Sequence, residues 1–188
     1  MIKGRALNDG MNIKNVKAIE KMTAFDARTL HWVISHPNAP VAAIWARKVS
    51  RLGDGPLYAL VGALAAWLGG ELGREFLAHG LLAFLIELPL YLALKNTIRR
   101  SRPADAHDAL LAFIKPSDKF SFPSGHTAAA FVMACIVIAY MPPLAVLVLP
   151  LAVSIGASRV ALGVHYPTDI VAGMVLGCSA ASLALYLL

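Results

Sequence analysis

Charge is scarce in this sequence. Only 15% of the 188 residues are Asp, Glu, Lys or Arg, where a soluble domain carries about a quarter. The deficit is uneven. Gly55 to Gly70, Thr127 to Ser158 and Ile170 to Leu188 carry no charge at all, and Phe76 to Leu94 carries one, Glu87. Cysteine is nearly absent as well. Cys135 and Cys178 both fall inside apolar runs, with no disulfide framework or metal-ligand spacing, so they read as small buried residues. No internal repeat or low-complexity segment is present. No apolar core follows the basic residues of 1–22 in the way a signal peptide requires. What remains is 58% hydrophobic, with a mean hydropathy of +0.65, in runs of the length that crosses a bilayer as helices.

Proline divides the longest run. Thr127 to Ser158 would make one helix of roughly 48 Å, far beyond a hydrocarbon core of about 30 Å. Met141-Pro142-Pro143 removes backbone donors and disfavours helical geometry before each proline. Five spans follow, near 56–72, 76–94, 125–141, 143–158 and 168–188. Between Thr23 and Arg51, apolar residues recur at helical spacing around Pro37 and Pro40. They predict two amphipathic helices lying at the interface. The alternative makes 29–46, which lacks formal charge, a sixth span. The expected fold is therefore all-α: an integral membrane helical bundle with N-terminal interfacial helices. A basic tail over 1–22 precedes a single domain over 23–188. Gly173 and Gly177 form a small-xxx-small pair suited to helix packing.

The net charge is +6, and the cations gather in the N-terminal part and in the loop from Lys95 to His126. A cytoplasmic flank or a surface for anionic headgroups would each account for this. Nucleic acid is disfavoured, because no groove-reading motif accompanies the charge. Three local patterns add chemistry. In Lys95-Asn-Thr-Ile-Arg-Arg-Ser-Arg102-Pro103, the first and last cations are seven apart and would share a face of a continuous helix. Both suit phosphate oxygens; a charged flank is the plainer reading. In Pro123-Ser124-Gly125-His126, Ser124 is a good N-cap and Gly125 lets an anion approach the backbone. His126 can exchange protons near neutral pH. The plainer reading is a capped helix with an incidental histidine. In Ser158-Arg159-(five residues)-His165-(three residues)-Asp169, the carboxylate sits one helical turn past the imidazole, where it can fix the ring. Asp169 is equally an ordinary partner for a helix N-terminus. Alternating spans put the two loops on one membrane side, which joins the three patterns into one site.

Taken together and in order, these three patterns resemble the signature of the type 2 phosphatidic acid phosphatase (PAP2) superfamily, over about residues 50–188 and not over 1–22. The resemblance implies a membrane lipid phosphatase acting through a phosphohistidine, without metal or other cofactor. It implies His165 as nucleophile, Asp169 as its orienting partner and His126 as acid and base. Lys95, Arg102, Ser124, Gly125 and Arg159 would hold the phosphate. The partners implied are the bilayer and a lipid substrate such as undecaprenyl pyrophosphate, phosphatidic acid or phosphatidylglycerophosphate, in a bacterial plasma membrane. Vanadate-dependent peroxidation and a non-catalytic lipid-phosphate binder stand as alternatives. Positive-inside counting on five spans favours a cytoplasmic site, whereas many relatives place it outside.

Other polar residues are read more plainly. Asp105, His107 and Asp108 read as a solvated loop rather than a metal site. Arg51 and Asp54 read as a salt-bridged or capping turn. Glu87, costly within a span, is either functional or paired locally beside Pro89.

Overall fold

The computed structural model describes residues 13–106, 112–116 and 118–188. Most of the basic tail lies outside them, as do His107 and Asp108. Among these described residues eight α-helices follow in order: α1 Ile13–Ile34, α2 Ala39–Arg51, α3 Gly55–Leu68, α4 Gly70–Ile98, α5 Pro103–Ala106, α6 Gly125–Tyr140, α7 Ala145–Ala161 and α8 Pro167–Leu187. Among the described residues the only β-type pairing is a single bridge between Ser101 and Phe120.

Proline and glycine set the boundaries. Pro40, Pro56 and Pro167 stand in the first turns of α2, α3 and α8, where a missing N–H costs nothing. Met141 leaves helical geometry, and a 3₁₀ turn over Pro142–Leu144 reverses the chain between α6 and α7. Gly70 at φ 61° makes the sharp reversal from α3 to α4. Residues 29–46 are not one helix: α1 ends at Ile34 and α2 begins at Ala39, with Pro37 in the gap. α1 runs straight through the boundary between residues 22 and 23.

The five apolar runs thus become α3, α4, α6, α7 and α8. The helical segments 70–98, 142–161 and 167–187 are long and apolar enough to cross a bilayer, and α3 and α6 are apolar but shorter. α6 occupies the centre, packed against α4, α7 and α8. Val132 and Ile136 on α6 are fully buried and meet Phe76 and Ala83 of α4 and Ala180, Ala181 and Ala184 of α8. The outer faces carry exposed leucine and valine instead, including Leu81 and Leu85 on α4 and Val146 and Leu147 on α7. This is the arrangement lipid-facing helices require.

Glycine brings α6 and α8 together. A Cβ on Gly177 would stand 2.3 Å from the Ala128 carbonyl oxygen, and one on Gly173 2.5 Å from that of Ser124. The small-residue pair is therefore a packing face, and it fixes the N-terminal ends of both helices at the same level. The backbone N–H of Ser124 donates to the carbonyl of Asp169 at 3.1 Å there. Cys135 and Cys178 meet across the same interface as free thiols, 3.6 Å apart.

Candidate active site

The ends of α4, α6 and α7, the start of α3 and the loop before α8 surround a cavity of about 340 Å³. His126, His165, Lys95, Arg102 and Arg159 all line it, as does Gly125. The three sequence patterns, up to 70 residues apart, therefore form one site.

Lys95 and Arg102 reach it by a different route from the one their spacing suggests. α4 stops at Ile98 because Arg99 takes a left-handed conformation at φ 50°, so the two cations do not share a helix face. They are joined instead by Asp118. Lys95 Nζ donates to Asp118 Oδ2 at 2.7 Å and to the Tyr91 hydroxyl at 2.5 Å. Arg102 donates to Asp118 Oδ1 through Nη2, to the Asp118 carbonyl through Nε at 3.0 Å, and to the Val164 carbonyl through Nη1 at 2.6 Å. Partial burial pushes the Asp118 carboxyl up, but the hydrogen bonds and charges of Lys95 and Arg102 outweigh it and bring it down to about 2. A carboxylate thus lies among cations suited to phosphate.

Arg159 is buried near the end of α7. Its Nη1 donates to Ser50 Oγ at 2.7 Å, while Nε is buried with no partner. An orphaned guanidinium donor beside a cavity is a costly arrangement unless a ligand completes it. Beyond it, Gly163 at φ 72° turns the chain, and His165 follows at 2% exposure. Burial pushes its imidazole down to about 4; Asp169 opposes the shift, and the charges of Arg102 and Arg159 reinforce it. The ring is neutral at pH 7, as a nucleophile or base requires.

Asp169 opens α8 in a capping box, accepting from the Tyr166 N–H at 2.9 Å. Its Oδ1 accepts from Arg100 Nη1 at 2.8 Å, and its Oδ2 lies 3.6 Å from His165 Nδ1. That separation is slightly longer than a hydrogen bond and leaves Nδ1 unpartnered. Arg100 is shared: Nη2 donates to Asp26 of α1 at 2.6 Å, and Asp26 also accepts from the N–H of Thr168 at 3.1 Å and from its hydroxyl.

His126 stands in the first turn of α6 with Nε2 3.0 Å from Asp54 Oδ1. Asp54 precedes α3 without capping it through its side chain; its partner is the histidine, not Arg51. Gly125 lies against the Tyr91 ring, and a Cβ there would stand 3.0 Å from it. Ser124 is fully buried, and its oxygen accepts from the N–H of Thr127 at 3.4 Å and from its hydroxyl at 2.9 Å. It caps α6 rather than facing the cavity. Glu87 does line the cavity, on the same helix as Tyr91 and Lys95. Among the described residues no group of three or more His, Cys, Asp or Glu is placed to hold a metal ion.

The model of the PAP2 superfamily matches residues 76–188. The chain belongs to the PAP2 superfamily. Two curated relatives agree. A decaprenylphosphoryl-5-phosphoribose phosphatase of Mycobacterium tuberculosis is 36% identical over 127 residues, covering 65% of this chain and 65% of that protein. A lipid A 1-phosphatase of Rhizobium etli is 35% identical over 118 residues, 60% of this chain and 47% of that one. The chain thus spans less than two thirds of the length of either relative. Among solved structures, Aquifex aeolicus LpxE shares the fold, with a TM-score of 0.73 at 24% identity over 86% of this chain and 94% of that one. A transmembrane PAP2-type phosphatidylglycerolphosphate phosphatase from Bacillus subtilis gives 0.68 at 26% identity, over 90% and 86%. This PAP2 chain is accordingly an all-helical membrane protein.

Asp26, Asp54, Tyr91, Arg100 and Asp118 are the site residues that spacing alone misses. Tyr91 sits one turn before Lys95, a detectable relation. The others pair over separations of 16 to 74 residues, which no local pattern reveals.

Proposed function

We propose that this protein is a PAP2-type membrane lipid phosphatase that removes a terminal phosphate from a lipid phosphomonoester or diphosphate through a covalent phosphohistidine. The observation that carries the reading is the convergence of His126, His165 and three cations on one cavity. The His165 nitrogen remote from Asp169 attacks phosphorus as the bond to the leaving oxygen breaks. Asp169, held by Arg100, stabilises the positive charge that develops on the ring. His126, as the imidazolium, gives its Nδ1 proton to the leaving oxygen and becomes neutral, while its Nε2–H stays on Asp54, which orients the ring. Lys95, Arg102 and Arg159 bind the equatorial oxygens, and the orphaned Arg159 Nε gains an acceptor. Water then attacks the phosphohistidine, His126 takes its proton, and His165 leaves as neutral imidazole beside free phosphate. No step requires a metal.

An apolar cavity of about 240 Å³ between α3 and α4 shares Gly55 and Phe84 with the polar one. It supports a hydrocarbon-bearing substrate over a peroxidase reaction. Phosphatidic acid, phosphatidylglycerophosphate and undecaprenyl pyrophosphate are the candidate substrates, in a bacterial plasma membrane. The test is phosphate release from these lipids by purified protein with EDTA present, with a base-stable, acid-labile phosphoenzyme trapped from labelled substrate. Both signals are expected to vanish in His165→Ala. Lipid binding without turnover in the parent protein would instead favour a binder.

A further inference from the structure

Adjoining the His126–Asp54 pair is a second polar cavity of about 410 Å³. Arg47, Arg51 and Lys115 line it, and it shares Arg159, His126 and Asp54 with the catalytic cavity. We propose that it is a subsite for a second anionic group of the substrate, of the phosphate class, carried on the leaving-group side of the reacting phosphate. The inference rests on the phosphatase reading above.

Three observations carry it. The first is charge. Four cations face one carboxylate, Asp54, and that carboxylate is engaged with His126. Among the described residues the side chains of Arg51 and Lys115 have no ionic partner, whereas Lys95 and Arg102 share Asp118. The second is construction. Arg47 donates to the Phe113 carbonyl, and the Phe113 N–H donates to the Leu162 carbonyl at 3.0 Å. These bonds hold the 112–116 segment, and Lys115 with it, against α2 and the end of α7. The third is continuity: Arg159, 5% exposed, lines both cavities, so a group in the second lies next to the phosphate held in the first. His126 protonates the leaving oxygen, so the group attached to that oxygen begins beside the cavity that His126 also lines.

A second phosphate-type anion could come from the substrate itself or from a neighbouring lipid headgroup, and the assay separates the two. Phosphatidic acid has one phosphate; phosphatidylglycerophosphate adds a phosphodiester on the leaving-group side. Both are assayed in neutral detergent micelles, with and without added phosphatidylglycerol. In the Arg51→Ala/Lys115→Ala variant, KM for phosphatidylglycerophosphate is expected to rise about 10-fold or more, as loss of charge-assisted contacts predicts. KM for phosphatidic acid should stay within about twofold, and the selective loss should already appear without added phosphatidylglycerol, which is the product of the second reaction. Equal losses on both substrates, no loss on either, or a loss that appears only with phosphatidylglycerol would overturn the subsite. If the double variant loses all activity, Arg51→Gln and Lys115→Glu are read singly, and an unchanged ratio between the two lipids is the refuting result. A parent protein inert on both lipids refutes the phosphatase reading, and the subsite falls with it.

Discussion

His165 Nδ1 stands 3.6 Å from Asp169 Oδ2, and the carboxylate is held there by Arg100 and the Tyr166 N–H rather than by the histidine. Its position is fixed before the ring carries charge. Asp169→Asn is expected to cut kcat by about 10²–10⁴-fold with little change in KM, because it removes stabilisation that matters only as the imidazole becomes cationic. Steady-state kinetics on a lipid phosphomonoester checks this; a loss confined to KM refutes the role.

The acid limb of activity should lie low. An ordinary histidine titrates near 6.5, but His165 is pushed down to about 4, and the proposed attack requires its neutral form. The limb belonging to His165 in kcat/KM should therefore fall as pH drops through about 4, not through 6.5. Stability follows the same sign. The unfolded chain binds this proton first, so the contribution of neutral His165 is full above about pH 6.5 and is lost as pH falls toward 4. A pH–rate profile and melting temperatures across pH 4–7 test both.

Asp54 pairs with His126 across 72 residues of sequence. Asp54→Asn should lower kcat by about 10-fold or more while substrate binding persists, because an amide orients the ring but cannot match a carboxylate as acceptor. Single-turnover phosphate release isolates the step. An unchanged rate would show that the contact only ties the turn before α3 to α6.

The α6–α8 contact tolerates no side chain at Gly177. A Cβ there would meet the Ala128 carbonyl at 2.3 Å, so the two helices must separate. Gly177→Ala is expected to destabilise by about 1–3 kcal/mol and to reduce activity, since the same contact levels His126 with Asp169. Gly80→Ala, with nothing within 4 Å of the added carbon, should not lower the melting temperature, since alanine is the better helix former.

The membrane helices were legible because hydropathy and proline act locally: the break at Pro142 and the start at Pro167 need no tertiary information. The candidate site residues could be nominated for a related reason, since Gly125-His126 and His165-(three residues)-Asp169 each lie within one turn of a helix start. Legibility ends where a side chain's partner lies on another element. Ser124 looked like a phosphate ligand, yet its buried oxygen accepts from Thr127 at the start of α6 and does not line the cavity. Lys95 and Arg102 looked like one helix face, yet Arg99 breaks the helix and Asp118 rejoins them. Arg100 could not be told from Arg99 by composition, although only Arg100 reaches Asp169.

The tether from Asp26 through Arg100 to Asp169 has a consequence for how the protein can be divided. The stretch that the family model matches begins at residue 76, so a graft built to that limit would carry both histidines. It would leave behind the carboxylate on α1 that shares Arg100 with Asp169. The smallest transplantable catalyst is thus larger than the smallest recognisable one, and shortening from the front should blunt turnover well before it disturbs membrane insertion.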